Sequence, residues 1–323
     1  MTKHMPLLLV LLFVIVAPAG CKTATSAVPR RLALMGKRAS APDPRIRVLY
    51  VEGAPRWEYR YLKNVLIRKK ADLVVWCILL SAGDDFPQEH TQGTYLADDG
   101  GEGQVQSLTR FPTPEELSRF DVIIWGDVDP AAAEFGMGPE ALESVRQFVQ
   151  NGGALICMLG ENYFPALYAK GEAGEALGEI LPFTIAPPPP DFDYPRTMPF
   201  PFQLTDAGKA SPIFRFVDDP DTNTRLWQED ETMPDFHGLP GAFWFWPITQ
   251  DPANSGATVY VRHAGDKPEG LDANYALFFE KKVGKGIVFV SAVDETWRWR
   301  HQYGDEPYFA GFWLKVIRRA AEK

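Results

Sequence analysis

The chain has 323 residues, of which 46% are hydrophobic and 23% charged, proportions typical of a globular protein and not of a disordered, collagen-like or multi-span membrane chain. Its 33 Lys and Arg residues are outnumbered by 42 Asp and Glu residues, which gives a net charge of −9. A broad phosphate-binding surface is therefore not expected, and no nucleic acid is predicted as a partner.

Residues 1–20 have the pattern of a secretory signal peptide. Lys3 precedes an apolar run from Leu7 to Val16, which is shorter than a membrane span. Residues 17–21, APAGC, resemble a bacterial lipobox, in which the cysteine is acylated and becomes the mature N-terminus. We therefore expect an exported lipoprotein, anchored through Cys21 and facing the periplasm or the cell exterior. The alternative is cleavage at a small-x-small site over residues 17–19, which leaves Cys21 without lipid.

Residues 21–44 predict a flexible basic tether. They contain five Lys or Arg residues and no acid before Asp43, among Ala, Ser, Thr and Pro. Such a segment has little apolar surface to bury, so it is not expected to fold by itself. Its basic residues would strengthen attachment to an anionic lipid surface, although a plain spacer has the same composition.

From Arg45 the pattern alternates β-rich runs with helical stretches, which predicts an α/β domain over residues 45–323. The expected strands are Ile46–Val51, Asp72–Leu80, Asp121–Trp125 and Ala154–Leu159, and the expected helices are Arg56–Arg68 and Pro139–Gln150. Together these elements predict a doubly wound sheet with four parallel strands.

Two stretches interrupt this pattern. Residues 81–112 form a long acidic, Gly-rich segment at the carboxyl end of the second strand, where such sheets bind ligands, so it is a candidate lid. Residues 181–245 are rich in proline and aromatic side chains. Because proline cannot donate to a strand ladder, we expect an irregular insertion there.

The last part of the chain regains a regular pattern. Strands are expected at Ala257–Arg262, Asn274–Lys281 and Gly286–Ser291, the last two as a hairpin, and a helix at Tyr308–Ala321.

Two motifs resemble a known family. Residues 48–64, VLYVEGAPRWEYRYLKN, and residues 294–300, DETWRWR, with 308–313, YFAGFW, are similar to the class I glutamine amidotransferase-like domain of bacterial envelope proteins, often found with von Willebrand factor A regions. The resemblance covers about residues 45–323. It implies a flavodoxin-like, three-layer fold in which the two motifs converge above the carboxyl edge of the sheet.

The residues for amidotransferase chemistry are not in the expected pattern. Catalytic members of that class carry a nucleophilic Cys with glycines two residues before and after it, but Leu155 and Leu159 flank Cys157. The expected His-x-Glu is missing after the last core strand, where Asp294 and Glu295 stand. We therefore predict no catalytic residue, and we expect Cys77 and Cys157 to be buried apolar side chains.

Candidate ligand-binding residues share carboxylate, amide, Arg or Trp chemistry and follow the expected strand ends: Glu52, Arg56, Trp57, Arg60, Asp127, Glu161, Asn162, Asp294, Glu295, Trp297, Arg298 and Arg300. Interleaved Arg and Trp side chains suit carboxylate, sugar or peptide ligands. The same residues also fit a structural role, in which Arg–Glu pairs attach the first helix to the last loop and Trp fills gaps. No cofactor and no metal site is predicted.

Three functional hypotheses remain open. The first is a catalytically silent amidotransferase-like module that binds an envelope protein or a small anionic or sugar ligand. The second is an extracytoplasmic hydrolase that uses carboxylates in the crevice between the two motifs, which requires unpaired acids with shifted pKa values. The third is a carbohydrate-binding protein, which rests on aromatic density alone. Residues 243–246 fit a sugar-stacking platform, but four consecutive aromatic residues more often seal the edge of a core.

Overall fold

The computed structural model describes residues 43–82, 88–91, 110–189, 192, 196–228 and 238–322. The expected signal peptide, Cys21 and nearly all of the tether lie outside the described residues, as does most of the candidate lid. From Pro44 onward the chain forms one compact unit.

Eight strands of the described residues form one mixed sheet. They are β1 (Ile46–Glu52), β2 (Leu73–Leu79), β3 (Val122–Trp125), β4 (Ala154–Met158), β5 (Phe202–Leu204), β6 (Thr258–His263), β7 (Ala276–Val283) and β8 (Gly286–Ser291). Their order is β2-β1-β3-β4-β8-β7-β6-β5. The first five strands in this order run parallel, and β7, β6 and β5 complete the sheet by antiparallel pairing.

The parallel strands are apolar along their length because helices cover both faces of the sheet. In β1, for example, Val48 and Tyr50 pack into the hydrophobic cluster on one face, and Leu49 and Val51 pack into the cluster on the other. Each parallel strand is therefore largely a continuous run of buried apolar residues. Such runs are the sequence pattern from which these strands were predicted.

The helices complete the outer layers. They are α1 (Trp57–Arg68), α2 (Pro114–Leu117), α3 (Pro139–Gln150), α4 (Glu172–Gly178), α5 (Asp206–Ala210), α6 (Pro220–Trp227), α7 (Arg300–Tyr303) and α8 (Gly311–Ala321). Apolar residues of α1, α6 and α8 belong to one core cluster, and those of α2, α3 and α4 to the other. The predicted flavodoxin-like, three-layer, mostly parallel fold is confirmed.

Three details of the prediction are corrected. The parallel part has five strands and not four, because β8 lies beside β4 as well as pairing with β7. The insertion at 181–245 is not wholly irregular: Phe202–Leu204 adds an edge strand, and Pro220–Trp227 forms α6. The last helix begins at Gly311, after a π-helical turn over Glu306–Ala310. Proline tolerates both the edge of a sheet and the first turn of a helix, so its density did not exclude these elements.

Candidate functional site

The carboxyl ends of β1, β3 and β8 place three acidic residues near one another. Glu52 is the last residue of β1, Asp127 lies two residues beyond β3, and Asp294 lies three beyond β8. Since β2 and β3 flank β1 on opposite sides, the chain reverses its winding direction here, which is where open α/β sheets bind ligands.

Arg56 fills the space between these strand ends. It stands at the N-cap of α1, and its guanidinium lies 2.9 Å from Glu52 Oε2 and 2.9 Å from Asp294 Oδ2. The same group donates to the backbone oxygens of Met158 and Leu159 at 3.4 and 3.3 Å. Arg56 therefore ties β1, β4 and the segment after β8 together, and it occupies the crevice that the two sequence motifs were expected to form.

Burial controls the ionisation of these carboxyls. Loss of hydration raises the pKa of Glu52 and raises that of Asp294 well above its ordinary range, while Arg56 opposes both shifts. Burial alone would lower the pKa of Arg56, but Asp294 and Glu52 hold it well above its usual value. Oδ1 of Asp294 is shielded from solvent and has no hydrogen-bond partner in the part of the chain that the structure describes. Of these three buried side chains, Arg56 therefore keeps its charge most firmly, because its neighbours raise its pKa.

Glu58 joins the two motifs through a second buried network. Its side chain is fully buried and accepts hydrogen bonds from the Thr296 hydroxyl, the Trp297 N–H at 3.1 Å and the Trp313 indole N–H at 3.2 Å. Burial raises the pKa of Glu58 to about 7, against the effect of these donors. One carboxyl on α1 therefore holds the segment after β8 and the helix α8.

Asp127 stabilises a turn and does not face an open crevice. Its Oδ1 accepts from the backbone N–H groups of Tyr163 and Phe164, both at 2.7 Å. Its Oδ2 accepts from the backbone and side-chain nitrogens of Asn162 at 2.9 and 3.1 Å. Its own N–H donates to Glu52 Oε1 at 2.8 Å. Glu161, just before this turn, is exposed.

Three aromatic residues outside the crevice form what we call the aromatic platform: Trp57, Tyr61 and Trp297. Trp57 stacks on Tyr61 with ring centroids 5.7 Å apart and planes 16° apart, and Trp297 lies 5.9 Å from Trp57 and 6.1 Å from Tyr61. Trp57 is 52% exposed, and Trp297 is half-buried. The platform therefore presents ring surface to solvent.

Arginines surround the aromatic platform. The guanidinium carbon of Arg60 lies 5.4 Å from the Trp57 ring centroid, that of Arg298 lies 4.8 Å from Trp297, and that of Arg300 lies 3.5 Å from Tyr61. These distances are typical of cation–π contacts.

Glu295 links Arg298 to the insertion. Its Oε1 accepts from Arg298 Nε at 2.8 Å, and its Oε2 accepts from the backbone N–H groups of Phe243 and Trp244. Trp244, Phe245 and Trp246 are buried, so most of this aromatic run packs in the core. These three side chains therefore have the alternative role expected from the sequence, in which consecutive aromatic residues seal the edge of the core.

Cys157 lies within β4, and both its burial and its pKa argue against thiolate chemistry. The side chain is fully buried, and desolvation raises the pKa of its thiol above the ordinary value. The expectation of a buried Cys157 is confirmed, and Cys77 is buried in the same way.

The structure therefore brings most predicted site residues together, in two groups. Glu52, Arg56 and Asp294 form the buried group, while Trp57, Arg60, Trp297, Arg298 and Arg300 surround the platform with Glu295 behind them. Asp127 and Asn162 belong to a structural turn, and Glu161 is exposed and belongs to neither group. Sequence reasoning did not single out Tyr61, Thr296 or Trp313. Tyr61 lies four residues after Trp57 on α1, a helical spacing that places the two rings side by side.

Two cavities among the described residues lie away from both groups. One, of about 670 Å³, lies between the segment 168–185 and the turn 250–255, and another, of about 560 Å³, lies between the segment 207–213 and α8. Within the described residues, no group of three or more His, Cys, Asp or Glu side chains is arranged to hold a metal ion. None of the described helices has the length and apolar character needed to cross a bilayer.

One solved structure, with a TM-score above 0.5, supports the fold, and two others show weaker similarity. STM3548, a cytoplasmic protein from Salmonella typhimurium, is 16% identical with a TM-score of 0.52, over 86% of this chain and 100% of that protein. STM1381, a cytoplasmic protein of the same species, is 15% identical with a TM-score of 0.48, over 86% and 100%. A protein described as ThuA-like from Bacteroides uniformis is 12% identical with a TM-score of 0.39, over 87% and 91%. No protein-family model and no curated protein matches the chain.

Proposed function

We propose that this chain is a catalytically silent, amidotransferase-like binding module, held at the bacterial cell envelope by a lipid on Cys21. The observation that carries the proposal is Arg56, which occupies the crevice at the carboxyl edge of the sheet and pairs with Glu52 and Asp294. A hydrolase would need at least one of these carboxyls free to meet a substrate.

Two further observations support binding over catalysis. Cys157 lies buried within β4 and not on an exposed turn, so a substrate has no path to its thiol. The aromatic platform, by contrast, is partly exposed, with Trp57 open to solvent and arginines around it. Grouped aromatic side chains at a surface are enriched at interaction sites.

The absence of amidotransferase chemistry is tested by glutamine hydrolysis. We expect purified protein to release no ammonia from glutamine above the uncatalysed rate, and Cys157→Ala to give the same result. Ammonia release by the wild-type chain that disappears in Cys157→Ala would overturn the proposal.

Anchoring is tested separately in cells. Cys21→Ala in the full chain is expected to move the protein from the membrane fraction to the soluble exported fraction and to abolish incorporation of labelled fatty acid. Cys77→Ala is a suitable control because Cys77 is buried. Persistence of the Cys21→Ala chain in the membrane fraction, or failure of the wild-type chain to be exported, would contradict anchoring by lipid.

A further inference from the structure

We infer that the aromatic platform binds a carboxylate-bearing glycan, with a sugar ring stacked on Trp57 and its carboxylate paired with Arg60. The inference rests on the proposed function, since it names the class of ligand that the binding module takes.

The first step concerns ring geometry. Trp57 and Tyr61 are nearly parallel, and Trp297 is inclined to them by 35° and 29°. Because 52% of Trp57 is exposed, part of this side chain is open to solvent. The apolar C–H face of a pyranose ring is flat and of similar width to an indole, so it can cover this surface and displace poorly held water.

The second step concerns charge. Arg60 is exposed and makes no ion pair with any described residue, although its guanidinium stays close to Trp57. Arg300 and Arg68 share a single acid, Asp305, and Arg298 pairs with Glu295. The surface around the platform therefore retains positive charge on a chain whose net charge is −9. A field of this kind attracts an anionic ligand and repels a cationic one.

The third step separates a glycan from an acidic peptide. Peptides are recognised mainly through side-chain pockets, grooves or free sheet edges. The platform belongs to α1 and to the turn after β8 and not to a strand of the sheet, and its side chains line neither of the two cavities described above. An exposed indole with an unpaired guanidinium 5.4 Å from its ring centroid suits a sugar ring that carries a carboxylate.

The experiment uses the full-length Cys21→Ala chain, so that lipid does not contribute, with polygalacturonate as probe. Binding is measured by titration calorimetry and by quenching of tryptophan fluorescence. We expect saturable binding of polygalacturonate and none of dextran, the uncharged polysaccharide, or of polyglutamate, the acidic peptide. Trp57→Ala should weaken the affinity at least about tenfold, since tenfold corresponds to about 1.4 kcal/mol, within the range of a stacking contact.

Matched variants separate the contributions. Arg60→Gln should weaken binding about fivefold and reduce its dependence on salt, because it removes one charge contact. Met198→Ala and Arg318→Gln, at exposed positions in other parts of the molecule, should bind as the parent chain does. Absence of saturable binding, equal binding of polyglutamate, or wild-type affinity in Trp57→Ala would overturn the inference.

A second readout keeps this inference distinct from the proposed function. The Cys21→Ala chain is sedimented with washed envelope material, and Trp57→Ala and Met198→Ala are compared. Retention that requires Trp57, together with binding of polygalacturonate, supports both proposals. Retention that requires Trp57 without binding of polygalacturonate rejects the glycan and preserves the binding module. Retention that does not depend on Trp57 rejects the platform as the binding surface.

Discussion

At the scale of single residues, Arg56 shows why a charged side chain can be essential to a fold. Its side chain is 9% exposed, and those of Glu52 and Asp294 are 0% and 13% exposed. Two carboxyls share this one guanidinium in a region of low polarity. Such an arrangement adds little net stability by comparison with an apolar core, but removing Arg56 leaves both carboxyls buried without a counter-charge.

Arg56→Met is therefore expected to lower the free energy of unfolding by about 3–5 kcal/mol. The measurement is urea denaturation at neutral pH. Arg318→Gln is the control, because Arg318 and Asp72 are each 55% exposed at 3.5 Å, and such a pair contributes about 0–1 kcal/mol. Similar losses in the two variants would show that Arg56 does not neutralise a buried charge.

Glu58 predicts a pH dependence of stability. In the unfolded chain its carboxyl ionises near the ordinary pKa of 4.5, whereas burial raises the pKa in the folded chain to about 7. Between these values the folded state binds more protons than the unfolded state, so raising the pH favours unfolding. The stabilising effect is complete below pH about 4.5 and is lost as the pH rises through about 7.

We expect the free energy of unfolding of the wild-type chain to fall by about 2–3 kcal/mol more than that of Glu58→Gln between pH 5 and pH 8. Both chains contain the same other titrating groups, so comparing how their free energies of unfolding change with pH cancels the contribution of those groups. It also cancels any pH-independent loss of stability caused by the substitution. Glu161→Gln, at an exposed position, should keep the wild-type slope. Parallel pH profiles of Glu58→Gln and wild type would contradict the assignment.

At the scale of elements, the β7–β8 hairpin depends on one glycine. Gly284 follows β7 and has a φ of +58°, and a Cβ there would lie 2.8–2.9 Å from backbone atoms of Gln150 at the end of α3. The turn therefore needs both a left-handed conformation and close approach to α3. The sequence predicted the hairpin, but not this contact, because Gln150 is far away along the chain.

Gly284→Ala is expected to destabilise the protein by about 2–4 kcal/mol, from conformational strain and overlap together. Gly256→Ala measures the conformational strain alone, because Gly256 has a φ of +83° but a Cβ there meets no atom within 4 Å. For this variant we expect the free energy of unfolding to fall by about 1–2 kcal/mol. Thermal denaturation of both variants makes the comparison. If Gly284→Ala loses no more stability than Gly256→Ala, steric overlap between residue 284 and the backbone of Gln150 would be excluded as a cause.

At the scale of the whole molecule, the two hydrophobic clusters share one sheet. Each strand of the parallel part contributes alternate residues to the cluster on either face, so neither cluster can form without the other. The edge strand β5 and helix α6 add Phe202 and Trp227 to the same cluster as α1 and α8. The insertion is thus part of the core.

We therefore expect the chain from Pro44 onward to unfold in one cooperative transition, although it is long for a single domain. Far-UV circular dichroism, tryptophan fluorescence and calorimetry should give coincident midpoints. Loss of the fluorescence signal at a distinctly lower denaturant concentration than the helical signal would show that the insertion unfolds separately.

Sequence by itself determined the fold class and the positions of most strands, because strands covered on both faces are continuous apolar runs that local pattern detects. The resemblance of its two motifs to a known family implied that Glu52, Arg56 and Asp294 lie near one sheet edge, although β8, which leads to Asp294, was expected only as part of a hairpin. Only the tertiary structure decided that Arg56 closes the crevice, that Asp127 faces a turn and that Glu58 joins α1 to α8. These outcomes depend on the direction of side chains and on contacts between residues far apart in the chain, and residue spacing does not contain that information.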